Sequence, residues 1–202
     1  MQNSLSSLRE VLNKVHPLTD AEFSKLSSYL FYKPVKPKEW LINENETEEH
    51  LYFVNEGMFR KYFRKDKEEV ITGFYKEGSF MSSIISFITG NPSLHVIEAT
   101  ENSAVLGIEK RHLDALMAAM PSLETTWRLL LTKMYADKEM NEYKRAKFSK
   151  RELFLNFYNE EPELIQRVPQ KYLASYLQIA PETYCRLKHY RYDEAKKVAK
   201  AS

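Results

Sequence analysis

The sequence predicts an α+β chain: an N-terminal β-roll of jelly-roll type flanked by helices, then a long helix, then a small C-terminal helical domain. Three observations predict it. The apolar period changes from 3.6 to 2 after Lys33 and stays short to Ile108, with turn residues at regular intervals. Leu116, Met120, Leu123, Trp127, Leu130 and Met134 are then separated by alternating steps of four and three, the spacing of a helix that pairs with its own copy. Gln170–His189 reads as two short helices around a tight turn. The implied divisions are a roll with its N-terminal helices over 1–118, a dimerisation helix and hinge over 119–147, and a helix-turn-helix domain over 148–202.

In chain order, Ser4–Tyr32 reads as helical. Leu5, Leu8, Val11, Leu12 and Val15 share a face, and His16-Pro17 interrupts it. Thr19 with Glu22 three residues on forms a capping box for a second helix, whose stripe continues through Phe23, Leu26, Leu30 and Phe31. Strands follow over Trp40–Ile42, Leu51–Val54, Met58–Arg64, Glu69–Tyr75, Leu94–Thr100 and Ala104–Ile108. Asn55-Glu56-Gly57, Lys65–Glu68, Gly78 and Glu101–Ser103 are the turns between them. Many short strands with such punctuation argue for a sandwich or roll. A helix covers Lys110–Met120, and Pro121 opens another. Asp137–Lys150 is strongly charged and reads as solvated or hinge-like. Arg151–Tyr158 is amphipathic, and Tyr192–Ala201 is expected to be a charged helix that leaves little room for a β-hairpin wing.

In Gln170–His189, Leu173, Ala174 and Leu177 share one face, Ile179 sits in the turn, and Tyr184 and Leu187 repeat on the second helix. Together they can close one small core between crossed helices, as in a DNA-binding helix-turn-helix. Pro181 suits a first helical position. Glu182, Thr183, Arg186 and His189 fall on or beside the opposite face. A glutamate there can accept from cytosine and an arginine can bond guanine twice. Lys171, Lys188 and Arg191 are placed for phosphates. Gln178 occupies the turn position usually held by Gly, which costs roughly 1 kcal/mol if the backbone is left-handed.

Composition bounds the rest. From Gln166 onward there are eight Lys/Arg against three Asp/Glu, while the whole chain carries only +2, so a basic end sits on a slightly acidic body. One cysteine, Cys185, excludes an intrachain disulfide, and no apolar run approaches a membrane span. A cytoplasmic protein with no membrane contact is expected. No two of His16, His50, His95, His112 and His189 have metal-ligand spacing, and there is no P-loop, GxGxxG or Gly-x-Ser-x-Gly elbow. The expectation is neither a metalloprotein nor an enzyme.

The segment RVPQKYLASYLQIAPETYCRLK, Arg167–Lys188, resembles the recognition element of the Crp/Fnr family of bacterial transcription regulators: Leu173-Ala174, Leu177-Gln178-Ile179, then Pro181-Glu182-Thr183-Tyr184-Cys185-Arg186. The departures are Gln178 for Gly and Cys185 for Ser. The order of helices, roll, long helix and small helical domain extends the resemblance over about residues 20–190. It implies that the roll is similar to a cyclic-nucleotide-binding domain. In nucleotide-binding members a Gly-Glu pair opens a phosphate cassette and an Arg-Ser or Arg-Thr pair closes it. Along Gly78–Ala99, Ser82-Ser83 stand in place of the first pair and Ser93-Leu94 in place of the second. Carboxylate and guanidinium are both gone, and neutral side chains do not replace a bidentate arginine. Arg60, Lys61 and Arg64 on a neighbouring strand are the cations that could compensate, although nothing in the spacing demands it.

The resemblance thus implies a homodimeric, sequence-specific transcription regulator acting on double-stranded DNA at a roughly palindromic site, with RNA polymerase as a further candidate partner. Cyclic nucleotide is not expected as a cofactor in the family's usual way; another small-molecule effector remains open at Ser82, Ser83, Ser93 and Leu94. The alternative is a ligand-binding regulatory or adaptor protein whose C-terminal helices bind protein rather than DNA.

Overall fold

A computed structural model describes residues 2–66 and 68–190. Two helices, α1 (Gln2–Val15) and α2 (Asp20–Ser27), lead into strands β1 (Phe31–Val35), β2 (Trp40–Ile42), β3 (His50–Glu56), β4 (Phe59–Lys65), β5 (Glu68–Tyr75) and β6 (Phe80–Met81). After a short helix, α3 (Ile84–Thr89), come β7 (Val96–Ala99) and β8 (Ser103–Glu109). Helices α4 (Lys110–Ala119), α5 (Pro121–Lys147), α6 (Lys150–Glu160), α7 (Pro162–Arg167) and α8 (Gln170–Tyr176) follow. Residues 181–190 form a last helix, α9. The predicted charged helix over 192–201, and with it the question of a wing, lies outside the described residues.

The eight strands make two antiparallel four-stranded sheets, ordered β1-β8-β3-β6 and β2-β7-β4-β5. Why they stack is visible in the strand period. On β3 and β8, Leu51, Phe53, Leu106 and Ile108 point one way, into a cluster with Leu8, Leu12, Leu26, Leu113 and Leu123 from the helices. Tyr52, Val54 and Val105 point the other way and meet Phe59, Ile97 and Ala99 of the second sheet. Both faces are apolar, so this sheet is sandwiched between helices and its partner sheet. The second sheet's outer face carries Tyr62, Ile71 and Val96, which Tyr172 and Tyr176 of α8 cover. The layers are therefore helices, sheet, sheet, C-terminal helices. Gly107 is required by close approach: a Cβ there would lie 2.2 Å from the Phe31 ring on the paired strand.

The predicted capping box holds, with Thr19 Oγ1 accepting from the Glu22 amide and Glu22 Oε2 accepting from the Thr19 amide at 2.9 Å. A second box that sequence reading passed over, Ser149 with Glu152, starts α6. Three expectations need correction. The helical stripe does not run to Tyr32, because Phe31 and Tyr32 pair with Gly107 and Leu106 as strand β1. The charged stretch from Asp137 is solvated, as read, but its hinge reading fails: it is the second half of the 27-residue α5, which ends at Lys147. The heptad stripe is mostly intrachain: Leu116, Met120, Leu123 and Leu130 are 3–8% exposed, and Trp127 packs against the same core. Of the expected seam only Met134 lies beyond that core.

The C-terminal helices dock on the second sheet through one buried cation. The Arg60 side chain is 3% exposed. Its guanidinium donates to both carboxylate oxygens of Glu98 at 3.0 and 3.1 Å and to both of Glu69. It also lies 4.3 Å from the Tyr62 ring centroid and 4.0 Å from that of Tyr172 on α8. Beside it, Ser175 Oγ accepts from the Ile71 amide and donates to the Glu69 carbonyl, both at 3.0 Å, occupying one donor and one acceptor on the free edge of β5. Arg167 bonds Glu77, Glu101 and Glu163, and Lys76 bonds Glu163, completing the joint.

Removing the cation would leave the buried Glu98 carboxyl short of its partner in a dry setting. Arg60→Met should lower stability to urea by about 3–5 kcal/mol. It should also speed hydrogen exchange at the Ile71 amide as α8 loosens. Unchanged exchange there would show that docking does not depend on Arg60.

Candidate functional site

The helix pair is built as the sequence suggests. Leu173 is 0% exposed, Ala174 and Tyr184 1% and Leu177 8%, and they form one core with Phe154, Phe157, Leu164 and Val168, against which Ile179 and Leu187 pack. Tyr184 meets the Phe154 ring edge-on at 5.2 Å, and burial pushes its hydroxyl pKa up to about 12. Its hydroxyl has no partner among the described residues. Between the helices Gln178 adopts φ +54°, the left-handed turn that a non-glycine residue resists. Ala180 starts α9 without a side-chain cap, although its carbonyl accepts from the Tyr184 amide at 3.0 Å.

That packing decides which side chains remain outside. Pro181, Glu182, Arg186 and His189 are exposed on α9, and Lys171 is exposed on α8; Thr183 and Lys188 are half-buried. Cys185 is exposed, with its Sγ 3.6 Å from Gln170 Oε1. Tyr184 and Leu187 hold α9 from one side while Glu182 and Arg186 stand on the other. The buried face of α8 is engaged twice, with Leu173 and Ala174 in the helix-pair core and Tyr172, Ser175 and Tyr176 on the roll.

The second candidate region is the roll interior. Ser82, Ser83 and Ser93 are each 2% exposed. Ser93 Oγ donates to the His95 carbonyl at 2.8 Å and lies within hydrogen-bond distance of Ser83 Oγ at 2.7 Å, and Ser82 Oγ has no partner among the described residues. Leu94 does not belong with them: it is 67% exposed, because β7 begins only at Val96. The segment is closed over residues that sequence reading missed. Glu48 is 2% exposed and accepts from the His50 amide at 3.0 Å and more weakly from the Ser83 amide at 3.4 Å. Burial pushes its carboxyl pKa up to about 7. It could not be picked out of the acidic run at 44–49, since only the fold says which member of the run turns inward.

Of the three candidate cations, two are already neutralised. Arg60 is held by Glu98 and Glu69, and Arg64 by Glu44 at 2.9 Å. Lys61 has no carboxylate partner among the described residues, and its ammonium donates weakly to the Ser82 carbonyl at 3.4 Å. Burial pulls its pKa down to about 8, and the Glu48 charge partly offsets this. Nearby His95 is pulled down to about 4 by burial and by Lys61, and its ring meets Phe63 edge-on at 6.1 Å. The interior is therefore a polar cluster of serines around one acid and one amine. Glu98 could have been suspected from the sequence, as a carboxylate in the otherwise apolar run Val96-Ile97-Glu98-Ala99.

Residues 32–120 match the family described as the cyclic nucleotide-binding domain. No curated protein sequence matches the chain. Among solved structures, the c-di-GMP-responsive global regulator CLP of Xanthomonas campestris is similar at 14% identity and a TM-score of 0.70, over 87% of this chain and 93% of that one. FixK2 of Bradyrhizobium japonicum is similar at 16% identity and 0.70, over 82% and 86%. A protein of Eubacterium rectale described as a transcriptional regulator of the Crp/Fnr family is similar at 18% and 0.66, over 88% and 85%. Among the described residues no helix is long and apolar enough to cross a membrane. The chain is an eight-stranded β-sandwich of the cyclic-nucleotide-binding type followed by a long helix and further helices, the fold of Crp/Fnr-like structures.

Two tests follow from this geometry. In the unfolded chain Glu48 loses its proton near 4.5, and in the folded chain near 7. Between those values only the unfolded state has released the proton, so stability falls as pH rises, by up to about 3 kcal/mol. Glu48→Gln should flatten that fall, read by urea unfolding from about pH 5 to about pH 7.5; an equal slope in the variant would place the titration elsewhere. Gln178→Gly should raise stability by about 1 kcal/mol by relieving the left-handed turn, visible as a higher thermal midpoint.

Proposed function

We propose that this protein is a homodimeric, sequence-specific DNA-binding transcription regulator of the Crp/Fnr type. The observation that carries the reading is the division of α9: Tyr184 is locked in the core while Glu182 and Arg186 stand free on the opposite side. Arg186 would bond a guanine edge and Glu182 would accept from a cytosine amine. Pro181, Thr183 and His189 would set the helix in the groove, and Lys171 and Lys188 would contact phosphates, adding affinity without selectivity. The likeness to transcriptional regulators supports the same reading.

Dimerisation would use the part of α5 that the roll leaves open. Beyond Leu130, Tyr135, Met140 and Tyr143 are exposed apolar residues, and Met134 is half-buried. A second copy covering them would bring two α9 helices to successive major grooves about one helical turn apart. Ser82, Ser83 and Ser93 with Lys61 would form the effector region of the roll, without the carboxylate and guanidinium that a cyclic nucleotide is held by in related domains. RNA polymerase is a further candidate partner.

The test is selection of random duplexes on the purified protein at two salt concentrations. A palindromic site should emerge, and Arg186→Ala should lose about 1–3 kcal/mol on it with the fold unchanged. Binding that collapses with salt and enriches nothing would favour a protein-binding adaptor with an incidentally basic end.

A further inference from the structure

The joint between the roll and the C-terminal helices holds an open-sided cavity of about 310 Å³, walled by β5, α5, α6, α7 and α8. Small-molecule sites start near roughly 300 Å³ and combine an apolar surface with a few convergent polar groups. This one has both. Phe74, Phe157, Tyr176 and Leu164 give it an apolar floor, and Lys76, Lys144 and Arg145 stand along its rim.

The cations are not equivalent. Lys76 is paired with Glu161 and Glu163, and Lys144 with Glu160 at 2.7 Å. Arg145 has no carboxylate partner among the described residues, and its guanidinium lies 5.5 Å from the Tyr176 ring centroid. Asn141 and Asn156 also line the cavity, and neither side-chain amide bonds another described residue. An open guanidinium beside an aromatic wall, with two free amides, matches one ligand chemistry. The ring of a guest would lie against Phe74 and Tyr176, its anionic group would pair with Arg145, and the amides would donate to its remaining oxygens. Glu160 and Glu161 also line the cavity but are paired with Lys144 and Lys76, so Arg145 is the charge a guest would find without a carboxylate partner among the described residues.

We propose that this cavity is a small-molecule site for an organic anion with a planar apolar body. It shares no residue with the Glu48–Lys61 cluster and does not rest on the DNA-reading proposal. Because its walls come from the roll, the long helix and the C-terminal helices, a bound guest would tie these three parts to one relative placement.

The experiment uses 2-naphthalenesulfonate as probe, titrated into the full-length ¹⁵N-labelled protein, with 2-naphthylmethanol as its neutral counterpart. The expected result is saturable shifts of the Asn141 and Asn156 side-chain amides and of backbone amides in 141–145 and 153–157. The sulfonate should bind about tenfold more tightly than the alcohol, from a charge-assisted bond to Arg145. Arg145→Gln, at an exposed position, should abolish that difference while leaving the rest of the spectrum in place. The apolar cavity between α1, α2 and the first sheet, about 40 Å³, is too small for two fused rings and does not compete. Absence of shifts at these amides would overturn the proposal. So would equal binding of the two probes, or an undiminished sulfonate preference in Arg145→Gln.

Discussion

One guanidinium holds three parts of this molecule in register. Arg60 on β4 is bound by Glu98 on β7 and Glu69 on β5, and it is stacked between Tyr62 of the roll and Tyr172 of α8. A charge buried to this depth is tolerated only when nearly all its donors are satisfied. Glu98 is itself completed by Trp40 Nε1 at 3.1 Å and the Tyr62 hydroxyl at 3.0 Å. The network therefore admits few arrangements: moving β7, β5 or α8 leaves a polar group stranded. Apolar surfaces would pack in several ways at similar free energy, and the network singles out one of them.

The same economy of charge shapes the roll interior. With Arg60 and Arg64 already neutralised, Lys61 is the cation left facing the buried serines. Its lowered pKa and the raised pKa of Glu48 have a common cause, burial in surroundings too dry to solvate either ion, and each partly relieves the other. With Ser82, Ser83 and Ser93 buried beside Lys61 and Leu94 turned to solvent, this part of the roll presents hydroxyls and one weakened cation.

What could be read from the sequence follows from how local the determining forces are. The helix pair was legible almost residue by residue, because Leu173, Ala174, Leu177 and Tyr184 lie within a dozen positions and their spacing defines both faces. The left-handed Gln178 was legible too, as a misfit in a known turn. Strand β1 was not, since Phe31 continues a helical stripe and becomes a strand only through its pairing with Gly107, far along the chain. The stripe across α4 and α5 was real but ambiguous: a 3.5-residue period records an apolar face and not which surface covers it, and here the chain's own helices and first sheet cover most of it. The buried Glu48 and Arg60 were hardest, because their neighbours along the chain do not set them apart; Glu98 stands out in an apolar run, but its partner Arg60 lies 38 positions away.

Ser175 adds a consequence for the molecule's behaviour in solution. Its single hydroxyl occupies both the Ile71 amide and the Glu69 carbonyl, so α8 serves as the missing neighbour of the outermost strand of the second sheet. Any large swing of the C-terminal domain would bare that strand and its row of unpaired amides, a template on which other chains can assemble. The undocked form would thus be a precursor of aggregation as well as a conformational state, and colloidal safety bounds how far these helices can leave the sheet.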